Sequence, residues 1–173
     1  MVTAAPRPAD RTVTRADVLA ILEAVADPEI PTVSIVDLGM VLDVRRDTDG
    51  IAVELLPTFV GCPALEVIRD AMASRLAEFG RPVRVDISFA TPWSSDRISP
   101  AGREKLRGSG FAPPRAAQPG RALPVLDTAT APVTCPYCGS RATTLENVFG
   151  PTQCRSIHHC ADCRQPFEAF KPV

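Results

Sequence analysis

The sequence predicts an α+β chain: a small domain with helices on one face of a sheet, then a linker, then a compact C-terminal ribbon. Three observations carry this reading. Apolar residues recur at helical spacing in some N-terminal segments and alternate in others. Prolines cluster between residues 111 and 132. Of six cysteines, five lie beyond residue 133, and four of those form two Cys-x-x-Cys pairs.

Residues 1–13 are rich in Ala and Pro with no continuous apolar run, so they read as a disordered lead rather than a signal peptide. The α+β domain is expected over 14–110. Thr14 caps a first helix with Asp17 three residues on, and Val18, Ile21, Leu22 and Val25 share a face until Asp27-Pro28 stops it. Val41 to Arg45 and Ile51 to Leu56 read as strands joined by the turn Asp47-Thr48-Asp49-Gly50. Pro63 opens a second helix, with Leu65, Ile68, Met72, Leu76 and Phe79 along its buried face and Gly80 at its end. Val83, Val85 and Ile87 alternate with Arg84 and Asp86 as a half-buried strand. Ser99-Pro100 starts a third helix that Gly108 and Gly110 close.

From 111 to 132, five prolines and no surviving periodicity predict a semi-extended linker. Residues 133–173 are too few to build a core alone and need a staple. The pairs Cys135/Cys138 and Cys160/Cys163 supply one. A thiolate every third residue lets one tight turn present two sulfurs to a single ion, so these four residues predict a structural zinc, with a rubredoxin-like iron as the alternative occupant. His158 and His159 stand beside the second pair as possible substitute ligands. Nothing marks the chain for export and no stretch is long and uncharged enough to span a bilayer, so a cytoplasmic protein is expected. In that reducing compartment paired cysteines bind metal rather than each other. The net charge of −1 gives no support to nucleic-acid binding.

Cys62 stands apart, in Pro57-Thr58-Phe59-Val60-Gly61-Cys62-Pro63. With Pro63 opening the helix, Cys62 would be its N-cap, and the positive helix end would lower the thiol's pKa toward the thiolate that soft metals take. The other reading is a small buried hydrophobe. The loop Asp27-Pro28-Glu29-Ile30-Pro31 and the segment ending in Asp37 add three carboxylates, for which capping competes with metal or acid–base work. No Ser-His-Asp set, phosphate-cradling loop or H-E-x-x-H motif accompanies them, and no catalytic residue is assigned. Cys154, in Phe149-Gly150-Pro151-Thr152-Gln153-Cys154, is either a second cluster-contacting thiol or packing.

Four segments carry a resemblance: D-P-E-I-P at 27–31, I-V-D-L-G-M at 35–40, P-T-F-V-G-C-P at 57–63 and T-P-W at 91–93. Over about 15–110 the chain resembles the iron–sulfur cluster assembly-type family, also described as metal–sulfur cluster biosynthesis proteins. With the ribbon reading C-P-Y-C-G-S, F-G-P-T-Q-C, C-A-D-C and P-F-E-A-F-K, the whole is similar to the D-subunit family of the phenylacetyl-CoA 1,2-epoxidase system. The resemblance implies a cytoplasmic accessory protein of aerobic phenylacetate catabolism, without substrate turnover of its own. It would mature or insert an iron–sulfur or other metal centre in a partner, the partners being the oxygenase and reductase subunits. The resemblance also assigns the handling of a transient iron–sulfur cluster to Cys62, and it matches Asp27 and Glu29 to the family's acidic loop. A docking subunit with no metal-transfer role is the alternative.

Overall fold

The computed structural model describes residues 13–47, 49–114 and 132–171. The lead at 1–12 and the Pro-rich stretch 115–131 lie outside the described residues. Among the described residues, no helix is long and apolar enough to cross a membrane.

Helix α1 (Arg15–Leu22) begins with the expected reciprocal cap. The Asp17 carboxylate accepts the Thr14 amide at 2.9 Å, and Thr14 Oγ1 accepts the Asp17 amide at 3.2 Å. The helix ends a turn earlier than the Asp27-Pro28 signal implies, because Ala26–Asp27 (β1) turns back to pair with Ile30–Ser34 (β2). Strands β3 (Val41–Asp47) and β4 (Gly50–Leu55) form an antiparallel hairpin. Ile51, Val53 and Leu55 of β4 face the core while Glu54 pairs with Arg45 at 3.0 Å on the other face.

Strand β5 (Val83–Ile87) lies parallel to β4, which demands a crossover, and α2 (Leu65–Leu76) supplies it. Leu65, Ile68, Met72 and Leu76 are the buried stripe of α2, and Gly80 closes the following 3-10 turn at φ +64°. The start of α2 differs from expectation. Ala64 is the N-cap, Cys62 stands two residues ahead of it, and the first full helical bond runs from the Ile68 amide to Ala64 at 2.9 Å. Helix α3 (Pro100–Gly108) starts at proline as expected, with Ser99 Oγ accepting the Gly102 amide at 2.9 Å.

The segment between β2 and β3 ties these elements together. Asp37 Oδ2 accepts the Ser34 amide at 3.0 Å, the Ser34 hydroxyl at 2.9 Å and the Lys105 ammonium at 2.6 Å. The Leu38 carbonyl accepts the indole N–H of Trp93 at 2.8 Å, and the Gly39 carbonyl accepts Arg97 Nε at 2.8 Å. Gly39 has φ +64°, and a Cβ there would stand 2.3 Å from the Arg97 carbonyl, so only glycine fits. The motif residues at 35–40 and Trp93 are therefore scaffold.

The C-terminal sheet has the order β6-β9-β8-β7, from Phe111–Ala112 (β6), Thr143–Asn147 (β7), Arg155–Cys160 (β8) and Pro166–Phe170 (β9). Phe111 and Ala112, read from sequence as the start of the linker, pair in parallel with Glu168 and Ala169. Phe170 is buried in the first core, its ring 5.8 Å from that of Trp93. A smaller cluster of Ala112, Cys135, Cys160, Phe167 and Ala169 lies within the ribbon.

Burial works against the Asp37 carboxylate, but the Lys105 ammonium and the Ser34 amide and hydroxyl hold it below the usual range. A depressed folded-state pKa contributes stability that is present above the unfolded value and lost as pH falls through the folded one. Asp37→Asn should cost about 2 kcal/mol at neutral pH. In urea unfolding, its difference from the parent should shrink below about pH 4. A constant difference from pH 7 to pH 2 would count against the Lys105 pairing.

Candidate functional site

Two thiol-bearing sites emerge. The first joins the turns after Cys135 and Cys160, which repeat one geometry. The amides of Gly139 and Arg164 bond to the carbonyls of Cys135 and Cys160 at 3.0 and 2.9 Å. The amides of Cys135 and Cys160 bond to the carbonyls of Ser140 and Gln165 at 2.8 and 3.0 Å. The residue after each second cysteine is left-handed, Gly139 at φ +77° and Arg164 at φ +58°. Glycine takes that conformation without strain, whereas arginine holds it at a cost the metal turn imposes.

The four sulfurs lie within 4.8 Å of one another. Cys135 and Cys163 are 3.7 Å apart and Cys138 and Cys160 3.6 Å. A disulfide would need about 2.05 Å. A tetrahedral ion with thiolates at about 2.3 Å sets neighbouring sulfurs about 3.8 Å apart, so the set fits a structural zinc. The Cys163 amide, opposed by burial and helped by the Asp162 amide, holds the Cys160 thiol down to about 7. His158 takes no part: it is buried, bonds Ser156 Oγ at 3.0 Å and stacks on Phe167.

The second site is a cavity of about 340 Å³. It is enclosed by the β1–β2 turn, the loop between β4 and α2, the ribbon loop before β8, and Phe170. Asp27, Glu29, Cys62, Cys154 and Arg155 all line it. Asp27 Oδ1 accepts the amides of Glu29 and Ile30 at 2.8 and 3.1 Å, the turn-capping role expected of a short carboxylate. Arg155, with its side chain 7% exposed, donates to Glu29 at 3.0 Å and Thr152 Oγ1 at 2.7 Å. It also pairs with Glu168 at 2.9 Å and lies 5.4 Å from the Phe111 ring centroid. Thr152 Oγ1 in turn stands 3.2 Å from Cys154 Sγ.

The electrostatics reverse one expectation. Burial pushes the Cys62 thiol up, not down, despite the Ala64 amide aimed at its sulfur, and the charges of Cys154, Asp27 and Glu29 push it the same way. Its displacement from the cap leaves the helix end too weak to win. Burial likewise raises Cys154 against the Thr152 hydroxyl and Arg155, and raises Asp27 against its two amide donors. Both thiols are therefore neutral at pH 7, in a pocket where the carboxylates of Asp27 and Glu29 stand with the Arg155 guanidinium that pairs with Glu29.

The chain matches two family descriptions, "Iron-sulfur cluster assembly protein" over residues 15–89 and "PaaD zinc beta ribbon domain" over residues 121–171. It is 37% identical over 158 residues to the D subunit of the "Putative 1,2-phenylacetyl-CoA epoxidase" of Escherichia coli K12, covering 91% of this chain and 92% of that one. The chain belongs to this epoxidase D-subunit family. Its N-terminal part is also similar to the "Fe-S protein maturation auxiliary factor YitW" of Bacillus subtilis, 36% identical over 48% of this chain and 83% of that one. An "Fe-S protein maturation auxiliary factor" of Porphyromonas gingivalis is 32% identical over 50% of this chain and 84% of its own.

In this D-subunit family member, the structure brings Asp27, Glu29 and Cys62 to one cavity and gathers Cys135, Cys138, Cys160 and Cys163 at another point. Sequence reasoning leaves Cys154 undecided and overlooks Arg155. The only available signal for both is their place in F-G-P-T-Q-C-R beside the second pair, because the Glu29 contact comes from more than a hundred residues away.

Replacing Cys138 or Cys160 by Ser should abolish zinc retention against a chelator and cost the ribbon its folding energy. Because Phe170 and Arg155 pack against the first core, the loss should also lower the melting temperature of the whole chain. Full zinc retention in both variants would refute the ligand set. Arg155→Met, which keeps the stem but strands Glu29 and Glu168, should lose about 3 kcal/mol in urea unfolding. A loss under about 1 kcal/mol, the scale of an exposed ion pair, would mean that the guanidinium is not the junction's anchor.

Proposed function

We propose that the chain is a non-catalytic accessory subunit of the phenylacetyl-CoA epoxidase system that receives an iron–sulfur or iron unit and passes it to a partner. The observation that carries this is the placement of Cys62 with Asp27 and Glu29 around one cavity. A soft donor beside the hard Asp27 carboxylate accepts iron as cargo, with Glu29 near by in its pair with Arg155, and the raised thiol pKa keeps the donor protonated until a cation arrives. Cys62 is the handling thiol, while Asp27 and Glu29 set the negative field. Cys135, Cys138, Cys160 and Cys163 hold a structural zinc that keeps the ribbon folded against the cavity. The units 14–110 and 133–173 work together across the linker, in the cytoplasm.

The oxygenase and reductase subunits of the system are the recipients. Val60, 76% exposed, and Phe149, 64% exposed, belong to the two loops that border the cavity and offer an apolar rim for one of them. No nucleic acid or membrane partner is proposed. A second reading, a docking subunit without metal transfer, draws support from the same raised Cys62 pKa, since a neutral half-buried thiol also suits packing.

Co-expression separates the two. With Cys62→Ala, the oxygenase and reductase subunits should be present at normal level but deficient in iron and in epoxidase activity. Full metallation and activity with this variant would leave docking as the function. In the purified protein, Cys62 alkylation should be slow at pH 7 and accelerate above about pH 9, following the raised pKa.

A further inference from the structure

We propose that Cys154, carried by the ribbon, is a second iron-binding thiol that completes a two-sulfur site with Cys62. The inference rests on the reading of the cavity as the cargo site and adds what the N-terminal domain alone cannot provide. Both cysteines line the same 340 Å³ space, one from the loop before α2 and the other from the loop before β8.

The ribbon loop is built to hold its thiol still. The Gly150 amide bonds to the Arg155 carbonyl at 2.9 Å, the Arg155 amide to the Thr152 carbonyl at 3.1 Å, and the Lys171 amide to the Cys154 carbonyl at 2.9 Å. Gly150 is pressed against Arg155, where a Cβ would stand 3.1 Å from the Arg155 Cβ. The residue next to Cys154 is the buried arginine that pairs with Glu29 of the β1–β2 turn, and both line the same cavity. Asp27 and Glu29 act on both thiols, Cys154 acts on Cys62, and Arg155 acts on Cys154 in the opposite sense.

The ligand class is ferrous iron as the free ion, which takes thiolate donors. Binding forms two iron–sulfur bonds and releases the two thiol protons to solvent, and no electron changes hands. Asp27 and Glu29 offset the charge of the metal. Arg155 prevents Glu29 from folding onto the metal unless that ion pair opens.

The test uses the full chain with zinc in the ribbon, titrated without oxygen by ferrous ion. Thiolate-to-iron absorption, protons released and zinc retained are followed together. The parent should bind iron beyond the zinc and release two protons per site. Cys62→Ser and Cys154→Ser should each weaken binding roughly tenfold or more and reduce the absorption per iron.

If Cys154→Ser binds like the parent while Cys62→Ser does not, the two-thiol site is wrong and the cargo reading stands. If neither variant changes binding, both readings fall. A fold check comes from the unmodified protein. Phenylarsine oxide condenses with two neighbouring thiols and releases one water, so peptide mapping should find Cys62 and Cys154 in a single adduct. Adducts that never join these two cysteines would overturn the proposal even if Cys154→Ser failed to fold.

Discussion

One buried guanidinium holds the architecture together. Burying a charge costs several kcal/mol unless partners compensate, and Arg155 draws its partners from three parts of the chain. Glu29 comes from the first hairpin, Glu168 from β9, and Phe111 from the strand that leaves α3. Because a guanidinium offers donors in a fixed planar fork, these groups have little freedom to slide relative to one another. That constraint ties the ribbon loop to the acidic turn across the cavity that both line. Trp93 and Phe170 extend the same junction in apolar form, so the ribbon shares the first domain's core rather than hanging from it.

What was legible in the sequence is what depends on neighbours in the chain. The Thr14–Asp17 box, the stripe Leu65-Ile68-Met72-Leu76, the alternation in β5 and the proline start of α3 are local patterns, and each is present as expected. The two Cys-x-x-Cys turns are also local, and their four sulfurs meet. The failures are long-range. Nothing in the dipeptide Phe111–Ala112 announces a parallel partner in β9, and no local pattern shows that Cys62 sits among negative charges from another turn and another sheet. The start of α2 is misread for a different reason, since proline tolerates the turn before a helix as readily as its first position.

The two sulfur sites differ in the way a lock differs from a hand. In the ribbon four donors converge, backbone amides point at the sulfurs, and one thiol is already acidic, which suits an ion that stays. In the cavity the thiols are neutral, hard and soft donors are mixed, and solvent has access. A metal held by such a set would bind more weakly and in a pH-dependent way, which is what the proposed transfer role requires.

The pairing of Phe111–Ala112 with Glu168–Ala169 also orders events during folding. The strand that finishes the ribbon sheet is synthesised before the ribbon, while its partner emerges last. Closing so long a loop carries an entropic cost that grows with the logarithm of its length. A metal held at the knuckles would shorten the effective loop before β9 must find β6, with β8 as its antiparallel neighbour. Metal supply would then govern when the ribbon docks, and a metal-starved cell would accumulate chains whose cavity has only one wall.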